Sequence, residues 1–201
     1  MLHGLALKAG RITTALLIGS GSVAFGGGAV SLAGSGAKSG DLFVAFGHSL
    51  SSTVSLNGVA ITPVAGAASR FFLKILTQQE ITAGGTASTA AWWLVVRGPS
   101  TGSIRTSGTA AGVGPTLAGF TKSQFSAGFI YGGAATGATA QPLISQPGYT
   151  MLGYLQGAGN PASYLSAAHN LSPATYTNGA SIPTQGSSNG STSANILELT
   201  F

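Results

Sequence analysis

GDLFVAFG, residues 40–47, is an apolar run with an acid at its entrance and glycines at both ends. It reads as a central β-strand. Leu42, Val44 and Phe46 fall on one face and Phe43 and Ala45 on the other, so both faces need cover from a second sheet or a partner subunit.

Downstream stretches carry the same period. TVSLNGVAIT (53–62) sets Asn57 and Gly58 between two alternating runs, the signature of a two-residue hairpin turn that requires positive φ. In that register Leu56 faces Val59 and Val54 faces Ile61. RFFLKILT (70–77) places Phe71, Leu73 and Ile75 on a core face. On its other face Arg70 and Lys74 alternate with Phe72 and Leu76. TAAWWLVVRG (89–98) offers one tryptophan to the core and the other to an interface or a rim between sheets. SANILELTF (193–201) has Leu197, Leu199 and Phe201 on one face, which ties the last residues into a sheet or a subunit contact.

Composition supports an all-β chain. Charged residues make up 5% and glycines number 32 in 201 residues, against roughly 25% charge in an ordinary soluble domain. No segment carries the Glu, Lys and Arg that solvate helix faces, and glycine is costly inside helices. The hydrophobic fraction of 44% argues against disorder, and the glycines lack the period of a collagen helix. The expected architecture is an antiparallel β-sandwich, jelly-roll-like, with long Gly/Ser/Thr-rich loops. Residues 1–26 read as an N-terminal arm with a candidate first strand over Ile12–Ile18, and residues 27–201 as a single sandwich domain. Residues 1–10 carry no clear pattern and read either as a flexible arm or as a segment that docks on a neighbour. Residues 99–119 read as an extended loop holding one short strand, and Ala162–Leu171 as a short helical turn confined by Pro161 and Pro173. Two halves, each centred on a β-meander, fit the strand spacing, but the sequence does not establish a duplication.

The chemistry-bearing inventory is small: Asp41, Glu80 and Glu198, with His3, His48 and His169. Asp41 stands at a strand entrance, where a turn or a salt bridge with Lys38 or Lys74 is the ordinary role, rather than in a catalytic pair with Glu80. The histidine spacing does not point to a metal, and no nucleophile elbow or phosphate-binding loop is present. No catalytic, metal or cofactor residue is assigned. The eight Lys and Arg are scattered along a chain of net charge +5, so no nucleic-acid groove is expected. No membrane insertion is expected either, because the apolar run near residue 12 is short and interrupted. With no cysteine, stability must come from packing and from association between copies. Trp92, Trp93, Tyr131, Tyr149, Tyr154 and Phe201 are the candidate interface or glycan-stacking residues.

From Gly40 to Gly98 the succession GDLFVAFG, RFFLKILT and AAWWLVVRG resembles an arrangement in bacteriophage virion structural proteins. These include capsid-decoration, head-fibre or spike, and tail-fibre modules. The chain lacks the long repetitive shaft of a complete fibre. The resemblance implies a non-enzymatic protein of the virion, a capsid-associated decoration or head-spike component that forms a homo-oligomer and contacts major capsid or other virion proteins. The alternative it implies is a tail-fibre or receptor-binding module that recognises host surface glycan.

Overall fold

In the computed structural model of the chain, residues 14–65, 69–186 and 190–201 are described. They are all-β, in antiparallel sheets, none of which closes into a barrel. The inner sheet of the N-terminal half has the order β1 (Leu16–Val23), β9 (Ala91–Arg97), β3 (Leu42–Gly47), β7 (Arg70–Ile75) and β6 (Pro63–Ala65). Its outer sheet has the order β2 (Gly28–Val30), β8 (Gly85–Ala87), β4 (Val54–Leu56) and β5 (Val59–Ala60). In the C-terminal half the inner order is β10 (Thr101–Ala111), β17 (Ser191–Thr200), β12 (Ser126–Ala138), β15 (Ala162–Asn170) and β14 (Thr150–Gln156). The outer order is β11 (Thr116–Leu117), β16 (Ile182–Gln185) and β13 (Leu143–Ile144).

Three apolar layers hold these four sheets in a stack. Phe43, Ala45, Phe72, Trp93 and Val95 of the N-terminal inner sheet meet Val30, Val54, Leu56 and Ala87 of its outer sheet. The opposite face, with Leu42, Val44, Phe46, Phe71, Leu94 and Val96, meets Ile130, Leu165, Leu197 and Leu199 of the C-terminal inner sheet. Phe129, Tyr131, Ala168 and Ile196 then pack on Leu117, Ile144 and Ile182. The two-sided hydrophobicity of GDLFVAFG is thereby satisfied: every residue of β3 is buried, with one sheet over each face. A fully buried Phe or Leu contributes about 1.5–3 kcal/mol, which is how a chain with so few ion pairs can hold together.

The strand order occurs twice. Set β1, β2, β3, β4, β6, β7, β8 and β9 against β10, β11, β12, β13, β14, β15, β16 and β17, and the inner order of one half becomes that of the other, as does the outer order. Only β5 has no counterpart among the described residues. The registers agree as well, since Val44 pairs with Leu94 and Gly47 with Ala91, while Ile130 pairs with Leu197 and Gly133 with Ala194. Ser88, Thr89, Ala91 and Leu94 recur at the same spacing as Ser191, Thr192, Ala194 and Leu197. A signal for the repeat was therefore present in the sequence, too short to stand alone.

Several expectations change. The first strand runs Leu16–Val23, later than expected, and residues 1–13 lie outside the described residues. Residues 101–111 are not a loop but an eleven-residue strand paired along β17. Its Gly, Ser and Thr fit because one face is open to solvent. The Ala162–Leu171 helical turn is instead β15, buried between β12 and β14, where sheet pairing overrides the helical preference of Ala and Leu. A helix forms at Gln78–Ala83. Thr77 and Glu80 make a capping box there: the Thr77 hydroxyl accepts from the Glu80 N–H, and Glu80 accepts from the Thr77 N–H at 2.8 Å. The Asn57-Gly58 hairpin forms as expected, with φ of 48° and 73°. Its Val59, however, is at the sheet edge and exposed.

Candidate functional site

The three carboxylates of the chain are each engaged in an ion pair. Asp41 is forked by Arg97, whose Nε and Nη2 donate to its two oxygens at 2.8 Å each, while the Lys38 backbone N–H donates to Oδ2. The expected partners Lys38 and Lys74 are thus replaced by Arg97, brought to the entrance of β3 by the exit of β9. Burial pushes the Asp41 carboxyl up, and the Arg97 and Lys38 donors outweigh it, holding it below the usual carboxylate range. Glu80 lies 3.4 Å from Lys74 and accepts from Thr77. There too burial raises the pKa and the hydrogen bonds from Thr77, with Lys74, bring it below normal. Glu198 is fully buried and takes Arg105 and the Ser123 N–H. This ties residues 121–123 to β10 and β17, and the Arg105 guanidinium also lies over the Phe120 ring.

His48 Nε2 is 3.3 Å from the Ala135 carbonyl of the other half, with Phe25 edge-on to its ring. Burial lowers its pKa, partly offset by that carbonyl, and burial lowers that of His169 too. Among the described residues, no three His, Asp or Glu side chains gather as a metal site would require. No helix among them is long and apolar enough to cross a membrane.

The aromatic candidates do not form one platform. Trp93 is buried and stacked near Phe43 in the first apolar layer, and Tyr131 is fully buried in the third. Trp92 is half-buried at the rim between the two inner sheets, its indole N–H donating to the Leu165 carbonyl at 3.2 Å. Its ring lies against Gly153 of β14. Tyr154 is 51% exposed but points to the opposite face of β14, beside Tyr164. Tyr149 and Phe201 are half-buried, and the Phe201 N–H donates to the Phe125 carbonyl. The hydroxyls of Tyr131 and Tyr149 are buried without a hydrogen bond, and burial pushes both phenols far above their usual pKa.

A different feature combines access, shape and free backbone groups: the end of β7. β6 covers β7 only over Arg70–Phe72, because the chain leaves β5 through Ile61 and Thr62 and enters the inner sheet at Pro63. The Pro63–Phe72 pair still sets the Leu73 N–H on the Thr62 carbonyl, so only Lys74 and Ile75 have β3 on one side and no strand on the other. The Leu76 N–H donates to Asp41 and its carbonyl accepts from Gly40, so Leu76 faces β3. Alternation then turns Leu73 and Ile75 outward. A cavity adjoins this edge on each face of the sheet. One, of about 260 Å³, is lined by Val59, Ala60, Ile61, Thr62, Leu73, Lys74 and Glu80. The other, of about 360 Å³, shares Leu73 and Lys74 and adds Leu42, Ile75, Ser100 and Thr101. Val59 and Ile75 are 65% and 41% exposed at the rims. None of the six aromatic candidates lines either cavity. The sequence signal for the site was Pro63, which marks where the neighbouring strand begins too late to cover the end of RFFLKI.

The chain matches no family model, no curated protein and no solved structure.

Proposed function

We propose that this chain is a non-enzymatic structural protein of a bacteriophage particle, a capsid-associated decoration or head-spike component that assembles with copies of itself and with neighbouring shell proteins. The observation that carries the reading is the pairing order. β1 pairs with β9, β2 with β8, β3 with β7 and β4 with β5, so the pairs nest as in one long hairpin rolled into two facing sheets. β10 with β17, β11 with β16 and β12 with β15 nest the same way. Such nesting supports reading the chain as jelly-roll-like, an architecture used by capsid domains, with two such units stacked inner sheet to inner sheet. Fold alone does not assign a function. Two further features support the same reading. The carboxylates are engaged in ion pairs rather than gathered around a cleft, and the low-charge surface leaves an open strand edge available to a neighbour.

Mass spectrometry and imaging of purified particles test the proposal, together with light scattering of the isolated protein. The expected result is a stoichiometric particle component that self-associates in solution. Absence from particles together with a strictly monomeric protein would overturn it.

A further inference from the structure

Among the described residues β10 is the longest of the edge strands, with β17 on one side and no strand on the other. The Gly112 N–H donates to the Gly190 carbonyl, continuing the register that pairs Thr106 with Ile196 and Ala111 with Ser191. Alternation therefore turns the backbone groups of Thr106, Gly108 and Ala110 toward β17 and those of Ser107, Thr109 and Ala111 outward. Among the described residues no hydrogen bond reaches those outward groups. We propose that this edge pairs with β10 of a second copy of the chain, antiparallel about a two-fold axis at Thr109, so that the two C-terminal inner sheets become one continuous sheet. This rests on the self-assembling reading above and names a contact between copies.

Self-complementarity selects a second copy as the occupant. With Thr109 on the axis, Ser107 of each copy meets Ala111 of the other and Thr109 meets Thr109, and each such pair exchanges two hydrogen bonds. Threonine opposite threonine is a favourable cross-strand pair. The edge also lacks the usual guards, which are a charge, a proline or a covering segment. β10 has no proline and no acid, and its one cation, Arg105, is turned in to Glu198 and to the Thr121 carbonyl. Its bulge, between Ile104 and Thr106, lies before the outward run. Access is open as well. Ser107 is opposite Asn195, whose amide donates to Ser69 Oγ of the N-terminal half, so Ser107, Thr109 and Ala111 share the face that looks toward that half. All three are nevertheless exposed, so this end of β10 overhangs the half beneath it and leaves space for a second strand.

The opposite edge of the same sheet offers less. β14 carries a bulge between Met151 and Gly153, and the Gly157 N–H bonded to the Ser163 carbonyl leaves Tyr154 and Gln156 as the residues turned outward after it. Because neighbouring strands of this sheet alternate in direction, β10 laid beside β14 of a like-oriented copy would run parallel to it. Two β10 strands about a two-fold axis run antiparallel, the more stable ladder.

The test compares the full chain with Thr109→Pro and Thr109→Lys, by light scattering and by amide hydrogen exchange. The full chain is expected to be a dimer or a multiple of one, with exchange at Ser107 and Ala111 slowed by about 100-fold relative to Thr109→Pro. The proline removes an N–H that β17 does not use, so the mass should fall by about half while circular dichroism stays unchanged. Thr109→Lys alters only an exposed side chain and sets like charges across the axis, so its dimer should be weakened at low salt and restored at high salt. Should the proline disturb the fold, the lysine variant decides: a mass that does not respond to salt overturns the contact. An oligomer that both variants leave intact, with freely exchanging Ser107 and Ala111 amides, would overturn this contact while the self-assembling reading stands. A monomeric full chain would overturn both the contact and the self-association on which it rests.

Discussion

The ring of Phe46 lies against the bare Cα of Gly132, and the two residues hold the same place in the two halves. Phe46 pairs with Trp92 on β9, two positions before Leu94, and Gly132 pairs with Asn195 on β17, two positions before Leu197. The repeated unit thus meets its own copy with a large residue on one side and the smallest on the other. A methyl at position 132 would come within 2.5 Å of the Phe46 ring. Gly132→Ala should therefore destabilise the protein by about 1–3 kcal/mol, the usual effect of overpacking. Thermal unfolding of that variant, and of Gly132→Ala combined with Phe46→Leu, checks this; the double variant should recover part of the loss.

Gly58 serves a different purpose. Its φ is 73° and a Cβ there would meet nothing within 4 Å, so the turn conformation alone requires glycine. Gly58→Ala should cost about 1–2 kcal/mol from backbone strain. Denaturant unfolding should show a lower midpoint with an unchanged slope.

Acid should weaken the link between β3 and β9. The folded-state pKa of Asp41 is held below the ordinary aspartate value of 3.8. Its contribution is fully present above that value and is lost as pH falls through the lower folded value. Glu80, lowered from 4.5, acts in the same direction. Asp41→Asn should lower stability near neutral pH and make the curve flatter below about pH 4. Unfolding measured from pH 2 to 7 on both proteins reads the difference.

The histidines act at milder pH. His48 and His169 have folded pKa values below 6.5 because both rings are partly withdrawn from water. Under about pH 6.5 the unfolded chain takes up protons that the folded chain does not, so stability declines as pH falls from there toward the folded values. His48→Gln retains a side-chain donor toward the Ala135 carbonyl and should flatten the curve between about pH 5 and 6.5.

Glu198 is fully buried against Arg105 and the Ser123 N–H. Glu198→Ala leaves both donors without their acceptor and should destabilise by roughly 3 kcal/mol, the low end for a broken buried pair, since Arg105 remains partly exposed. Faster amide exchange at Ser123 than in the unaltered protein would show that the loss begins there.

Period and punctuation made much of the architecture legible. Alternation in residues 42–47, 70–75 and 91–97 identified three neighbouring strands of one sheet, and Asn57-Gly58 located a turn to the residue. The full length of β12 was not legible beyond Tyr131, because GGAATGA lacks the side chains that mark a strand. It is one because Gly132 and Gly133 make room for Phe46 and for the Tyr131 hydroxyl. β10 was hidden for a related reason: Gly, Ser and Thr pair as well as Val when a neighbour such as β17 supplies the ladder.

By itself, then, the sequence determined the all-β character, the two-sided burial of GDLFVAFG and the scarcity of groups that could do chemistry, since these depend on residue type and local spacing. Tertiary structure decided which cation meets Asp41, that two equivalent halves stack through their inner sheets, and that β7 is left uncovered at Lys74–Ile75. Each of those depends on which distant strands become neighbours, and pairing partners are set by packing across the whole stack rather than by any local pattern.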